Sequence, residues 1–453
     1  MRFRSTRGEA PSLGFADAFA AGLAPDGGLY VPEELPDVSN LIAEPLPYPE
    51  LAAAFLKRFD TDHSPEELDT LIARSYSTFP DPDNAAPVVQ IDENTFVLEL
   101  FHGPTLAFKD FGLQLVGNLF EDQIARSGEP INVLGATSGD TGSAAIHGLA
   151  DKQGVRVFIL YPKGRIAELQ ERQMTCTGAA NIFPIAIEGS FDDAQNIVKE
   201  LFGELEFKAR ARLSAVNSIN LARVLAQSVY YLHAFNRLAA DKRAGLRFVV
   251  PTGNFGNVLA GWMAGRMGLP AERFVVATNQ NDLLHRLFNT GRYEPGTVAH
   301  SLAPSMDIQV ASNFERFLNY HLGGDGKRTA TIMAEVKAGR AVELPDFDPD
   351  RFGATRTDDD GILRNIAAAK ERYGYTADPH TACAFEDIDP AIPTVILATA
   401  SPAKFPETIE KATGEHPTHP ALEALKARTP RNVGLPATAA SVREYLEANI
   451  LSD

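Results

Sequence analysis

From residue 88 onward, short apolar runs end in glycine-rich turns, and several of those turns open stretches whose apolar residues recur every three or four positions. Residues 96–101, 131–134, 155–160, 181–187, 246–250, 274–277 and 394–397 read as strands. Helical spacing follows at 143–149, 217–238 and 258–267, and the stretch after residue 109 reads the same way. Strands alternating with helices predict an α/β architecture with largely parallel sheets, and the intervals leave room for two such units.

Residues 1–88 have a different texture and read as a small N-terminal unit. Asp26-Gly27-Gly28 is a turn before a short strand at 29–31. Helices are predicted near 48–59 and 64–76. Ser64 with Glu67 fits a capping box, and Pro65 takes the first helical position. Residues 80–84, with two prolines, read as a linker, and residues 437–453 as a closing helix.

Composition narrows the function classes. The 453-residue chain is long enough for two or three domains. Its net charge of −17 (42 Lys+Arg against 59 Asp+Glu) argues against nucleic-acid and anionic-membrane partners, which select basic faces. No apolar run is long enough to span a bilayer, and no signal or transit segment is recognisable, so a cytoplasmic protein is expected. Cys176 and Cys383 form no CxxC pair and no HExxH occurs, so no metal site is expected.

The candidate chemistry centres on residues 102–112, His-Gly-Pro-Thr-Leu-Ala-Phe-Lys-Asp-Phe-Gly. Phe108 and Phe111 flank Lys109, and dehydration of its amine favours the neutral nucleophile. Such an amine can hold pyridoxal phosphate as a Schiff base. Two strand-to-helix loops have the makings of anion sites. Residues 252–257 (Thr-Gly-Asn-Phe-Gly-Asn) can converge backbone N–H groups on a phosphate at a helix start. Residues 135–142 (Gly-Ala-Thr-Ser-Gly-Asp-Thr-Gly) add the hydroxyls of Thr137, Ser138 and Thr141. Asp140 would repel an anion, so it is expected to face a cation or a hydroxyl. Lys163 and Arg165 follow the 155–160 strand at its carboxyl end, where two cations could meet a second phosphate. Thr399 closes the 394–397 strand at the same kind of edge.

Together these residues resemble the threonine synthase family, whose members are pyridoxal-phosphate enzymes of the tryptophan-synthase-β-like fold (fold type II). The resemblance runs nearly the whole chain, in order. It rests on Ser5-Thr-Arg7, Asp26-Gly-Gly-Leu-Tyr30, the 102–112 stretch, 136–142, Tyr161-Pro-Lys-Gly-Arg165 and Asn217-Ser-Ile-Asn220. It continues through 251–257, Ala277-Thr-Asn279, Ser305-Met-Asp307, Asp378-Pro-His-Thr381 and Pro402-Ala-Lys-Phe405. The longer bacterial and fungal type is the nearer match.

The resemblance implies two open twisted sheets flanked by helices, plus the small N-terminal domain. Residues 1–88 would be the accessory domain, 89–112 with 217–453 the large cofactor-binding domain, and 113–216 a smaller mobile domain. It implies Lys109 as the lysine that carries pyridoxal 5'-phosphate. Gly253, Asn254, Phe255, Gly256 and Asn257 would bind the cofactor phosphate, and Thr399 the pyridine nitrogen. Thr137, Ser138 and Thr141 would hold the substrate carboxylate, with Asp140 near the cofactor's phenolic oxygen. Lys163 and Arg165 are candidates for the substrate phosphate. The implied activity is elimination of phosphate from O-phospho-L-homoserine and addition of water to give L-threonine, by a monomer or homodimer. The family commonly has histidine before Pro-Ala-Lys-Phe, and this chain has Ser401. The alternatives are a lyase of the same fold that stops at 2-oxobutyrate, and a non-catalytic binding protein; an intact Lys109 and both loops argue against the latter.

Overall fold

The computed structural model describes residues 1–344 and 351–450. Two sheets organise it. The larger runs in the order Phe352–Arg356, Arg273–Thr278, Arg247–Pro251, Thr394–Ala398, Thr95–Glu99, Val88–Gln90. Its first five strands are parallel, and Val88–Gln90 closes one edge antiparallel. The smaller is all parallel, in the order Val433–Pro436, Ile182–Glu188, Val155–Pro162, Ile131–Ala136, Leu213–Ser214. Parallel strands need crossovers that cover both faces, which explains the apolar runs seen in the sequence. Phe248, Val249 and Val250 are all buried, as are Val395, Ile396 and Leu397.

Two long helices pack against each other. One, Lys109–Ser127, is buried from Lys109 through Phe120. The other, Leu221–Arg237, is capped by the Asn220 side chain on the Ala222 N–H and is buried from Leu221 to Asn236. Glycine permits the close approaches around the first. A Cβ on Gly117 would lie 1.8 Å from the Gly148 carbonyl oxygen, and one on Gly112 would lie 3.2 Å from Arg223 Cα.

The N-terminal unit carries the strands Phe3–Ser5 and Tyr30–Pro32, paired antiparallel, and the helices Tyr48–Leu56 and Pro65–Tyr76. The capping box at Ser64 and Glu67 forms as the sequence predicts. The motifs here that resemble the family serve as struts. Arg7 makes a forked contact with Glu315, Nε–Oε1 3.0 Å and Nη2–Oε2 3.1 Å, and the Thr6 hydroxyl donates to Glu315 Oε1 at 2.8 Å. The buried Arg316 donates to the carbonyls of Tyr30 and Ile219. These bonds tie the unit to the helix Phe314–His321.

One boundary differs from the sequence expectation, which placed all of 217–453 in the larger unit. Val433–Pro436 pairs with Ile182–Glu188, and the helix Ala439–Asn449 sends Val442 and Leu446 into the small-sheet core. A four-residue edge strand is too short to announce its partner, and the two apolar residues four apart need a sheet face that only the fold supplies. Residues 345–350 and 451–453 of the same expectation lie outside the described residues. Among the described residues no helix is long and apolar enough to cross a membrane.

Candidate active site

Three neighbouring strands of the large sheet, Arg247–Pro251, Thr394–Ala398 and Thr95–Glu99, end at the same edge. Their loops carry the 252–257 stretch, Thr399 and the approach to Lys109. The carboxyl ends of parallel strands are where ligands of α/β sheets collect. The loops are laced together. Leu100 N–H donates to Ala398 O at 2.9 Å, Phe108 N–H to Thr399 O at 2.9 Å, and Ser401 N–H to Leu106 O at 3.0 Å. Ser401 also accepts the Ala403 N–H, so its side chain serves as a helix cap.

Lys109 opens its helix and is 8% exposed. Its Nζ lies 3.1 Å from Asp140 Oδ2, 3.4 Å from Ser305 Oγ and 5.1 Å from the centre of the Phe108 ring. Phe111, expected to flank the amine, instead packs with Tyr48, Phe79 and Tyr230. Three residues along a helix from Phe108, its side chain points to another face. Burial pulls the lysine amine below its ordinary range; Asp140 opposes that shift, and Lys404 and Arg223 add to it.

Asp140 faces cations, as its charge demanded. Lys404 Nζ lies 2.7 Å from Oδ1, and Gln170 Nε2 donates to the same oxygen at 2.8 Å. Burial works against the charged carboxylate, yet Lys109, Lys404 and His380 outweigh it and hold the group well below the usual carboxylate range. Gln170 reaches Asp140 because Gly139 has no side chain; a Cβ there would lie 2.4 Å from Gln170 Oε1. His380 is held by Asp378, Nδ1 to Oδ1 2.9 Å, and its Nε2 accepts the Ser305 N–H at 3.2 Å. Both ring nitrogens are therefore engaged.

The hydroxyls of the 135–142 loop divide into two kinds. Thr137 Oγ1 accepts the N–H groups of Gly139, at 3.0 Å, and Gly142, at 2.8 Å, so it is consumed in shaping the loop. Among the described residues, the half-buried Ser138 and Thr141 have no hydrogen-bond partner for their hydroxyls, and neither has the buried Thr399.

In the 252–257 loop, Phe255 adopts a left-handed backbone, φ 63°, immediately before the helix Gly256–Arg266. A bulky residue there is strained, which the surrounding packing must offset. Its ring is wedged among Phe288, Phe314 and Phe317 at 5.6–5.9 Å. Gly253 is needed for a close approach, since a Cβ would sit 3.0 Å from Ser305 O. Asn254 accepts the Ser312 hydroxyl at 3.1 Å. Asn257 Oδ1 accepts from Tyr230 and Tyr231 at 2.6 and 2.8 Å, while its buried Nδ2 has no partner. The first turn of the helix offers N–H groups that lack intrahelical acceptors.

Lys163 and Arg165 are both exposed, and Lys163 lies 3.4 Å from the equally exposed Glu188. They are not among the contacts of Lys109. Instead the structure sets two cations near it, Lys404 and Arg223, that pattern reasoning missed or left without a role, and a third, Arg316, behind the 252–257 loop. Lys404, fully buried, also donates to Thr105 O at 2.9 Å. Arg223, 4% exposed, donates to Val216 O at 3.1 Å and has no carboxylate partner among the described residues. Arg316 braces Asn313, whose N–H donates to Asn254 O at 3.0 Å. The sequence signal for Lys404 was its place in the Pro-Ala-Lys-Phe motif.

Comparisons with known proteins agree along the chain. Residues 2–76 match the family described as threonine synthase N terminus, 85–343 that of pyridoxal-phosphate dependent enzymes, and 376–446 that of threonine synthase, C-terminal. The chain is 44% identical to threonine synthase of Pseudomonas aeruginosa over 98% of both sequences. It is 41% identical to that of Saccharomyces cerevisiae over 90% of this chain and 88% of the relative. The solved structure of pyridoxal-phosphate-bound threonine synthase from Brucella melitensis superposes with a TM-score of 0.93 and 42% identity, covering both chains completely. With its fold, its buried lysine and these full-length likenesses, the chain belongs to the threonine synthase family of pyridoxal-phosphate dependent enzymes.

Proposed function

We propose that the protein converts O-phospho-L-homoserine and water into L-threonine and inorganic phosphate, with Lys109 as the residue that carries pyridoxal phosphate. The observation that carries this reading is a buried lysine amine, its basicity lowered by burial, between two anion-ready loops. The residues present fit the cofactor. The buried Asn257 Nδ2 is an orphaned donor, the helix start at Gly256 offers free N–H groups, and the Thr399 hydroxyl is unspent. Gly253, Asn254, Phe255, Gly256 and Asn257 would hold its phosphate, Thr399 its ring nitrogen, and Asp140 would lie near its phenolic oxygen.

When bound, pyridoxal phosphate supplies an electron sink for negative charge developing on the substrate carbons. The chain's own residues do the rest. The Lys109 amine, once free, would be placed to take the proton from the α-carbon, and burial lowers its basicity below the ordinary lysine range. Ser138 and Thr141, with the N–H groups of their loop, hold the substrate carboxylate. For the phosphate the chain offers Lys163 and Arg165 at the surface and Arg223 inside. A buried guanidinium with no acidic partner calls for an anion, and Arg223 lies in the first turn of the helix that follows the small sheet's edge strand Leu213–Ser214. Closing of the smaller unit over the large sheet would exclude stray water, which matters where one water must add at one carbon. The N–H that Ser305 donates to His380 Nε2, and the Ser305 hydroxyl near both Lys109 and Asp140, place that serine to steady the amine.

The test is to supply O-phospho-L-homoserine to the protein loaded with pyridoxal phosphate and quantify phosphate, threonine and 2-oxobutyrate together. Threonine equal to phosphate is expected. Phosphate matched by 2-oxobutyrate would overturn the synthase reading in favour of a lyase.

A further inference from the structure

One carboxylate at the site serves two ammonium groups. Asp140 presents Oδ2 to Lys109 at 3.1 Å and Oδ1 to Lys404 at 2.7 Å. The two contacts are not equivalent. Lys404 is fully buried, its bond is the shorter, and its second donor goes to the Thr105 carbonyl at 2.9 Å. Gln170 adds a bond to Oδ1, so the Lys404 side of the carboxylate is saturated. Lys109 has only the longer bond and a 3.4 Å contact with the Ser305 hydroxyl.

Charge balance favours one distribution of protons. Two buried ammoniums on one carboxylate leave an uncompensated positive charge, which is costly out of water. Shedding one proton removes that cost. Lys404 has the closer contacts, at 2.7 and 2.9 Å against 3.1 and 3.4 Å for Lys109, so Lys109 is the amine that sheds it. The ionisable groups around this cluster are His380, Arg223, Asp110 and His147. The nearby cation Arg223 disfavours charge on Lys109 further, and Asp110 is spent on the N–H and hydroxyl of Thr105. His380 is engaged by Asp378 through Nδ1 and by the Ser305 N–H through Nε2, and His147 has its Nε2 3.1 Å from the Gln173 carbonyl.

We propose that Lys404 is a positioning residue, the permanent counter-ion of Asp140, which leaves Lys109 as the neutral amine of the pair. Lys404 comes from the loop after Thr394–Ala398 and Asp140 from the helix after Ile131–Ala136, so the same pair pins one sheet's loop to the other's. The inference rests on Lys109 as the cofactor lysine, but it concerns the protonation of that amine and can be read without turnover.

The experiment is the pH dependence of Lys109 acylation by acetic anhydride in the full chain stripped of cofactor, followed by peptide mass spectrometry. The fold is checked by circular dichroism. Removing the positive charge with Lys404→Met should leave Lys109 as the sole cation on Asp140 and raise its labelling midpoint by about one pH unit or more. Lys404→Arg, which keeps the charge, should stay near the wild-type midpoint. A Lys404→Met midpoint equal to wild type, or a Lys404→Arg midpoint raised as far as that of Lys404→Met, would overturn the inference. Should Lys404→Met fail to fold, Asp140→Asn decides: the midpoint should fall, and no change would refute the pairing. If instead borohydride reduction of the cofactor-loaded wild type marks a lysine other than Lys109, the proposed function fails and the labelling result stands by itself.

Discussion

The N–H of Phe108 donates to the carbonyl of Thr399 at 2.9 Å. That single bond fixes the residue before Lys109 against the residue whose hydroxyl is unspent. Antiparallel pairing of Ala107 with Ala400 extends the contact. The N–H of Thr399 in turn donates to Thr381 Oγ1 at 3.0 Å, and the Thr381 hydroxyl donates to Asp378. Lysine and threonine are thus held by backbone bonds and by the buried side chains of Thr381 and Asp378. A site built this way keeps its geometry while a substrate comes and goes.

Thr399→Val keeps the shape and removes the hydroxyl. Loss of one hydrogen bond, about 1–1.5 kcal/mol, predicts a kcat/KM about tenfold lower with the cofactor still bound. Steady-state kinetics beside the visible spectrum of the bound cofactor would check it. An unchanged kcat/KM would place the Thr399 hydroxyl outside the chemistry.

Lys109→Ala removes both the attachment point and the proposed base. Turnover should fall by about a thousandfold or more, as for loss of a positioned general base. Borohydride should then fix no cofactor to the protein by mass. Near-normal activity in this variant would remove the basis of the mechanism.

Much of the fold and the ends of the site were legible because their causes are local. A short apolar run, a glycine and a helix start sit side by side in sequence, so the 252–257 and 135–142 loops and Lys109 could be read directly. The direction of Asp140 followed from its charge alone. Partners brought together by sheet order could not be read this way. Lys404, Gln170 and Arg223 meet the Lys109–Asp140 pair only after strands far apart in sequence line up. Lys163 and Arg165 stand at a strand end as expected, but a sequence pattern carries no information on exposure. The bonds Thr137 makes within its loop were not legible either, although a hydroxyl in a tight loop has backbone N–H groups within reach before any ligand arrives.

The two sets of cations proposed for the substrate phosphate make different predictions. A buried charged contact is worth more than one screened by solvent. Arg223→Met should therefore weaken inhibition by the product, inorganic phosphate, by about tenfold or more, the effect of losing a charged hydrogen bond of about 1.5–3 kcal/mol. The double variant Lys163→Ala/Arg165→Ala should change it by about threefold or less. Inhibition constants for phosphate in both variants decide between them. A larger effect in the double variant would return the phosphate site to the surface pair.

His63 supplies a pH-dependent strut away from the chemistry. Its Nδ1 lies 2.6 Å from Asp60 Oδ2, and its Nε2 lies 2.9 Å from Asp122 Oδ2 on the helix that begins at Lys109. The Asp60 hydrogen bond, against the opposing effect of burial and with Asp122 adding to it, raises the imidazole above its ordinary value of 6.5. A group whose pKa is raised by folding stabilises fully below its unfolded value, about 6.5, and loses that contribution as pH climbs through the raised value. His63→Gln should therefore cost about 2 kcal/mol at pH 5.5, the scale of a hydrogen bond to a charged group. The cost should shrink as pH rises through the raised value. Urea unfolding of wild type and variant at pH 5.5 and pH 9 would check this. A gap as wide at pH 9 as at pH 5.5 would mean that packing, and not the imidazolium between two carboxylates, accounts for the contribution of His63.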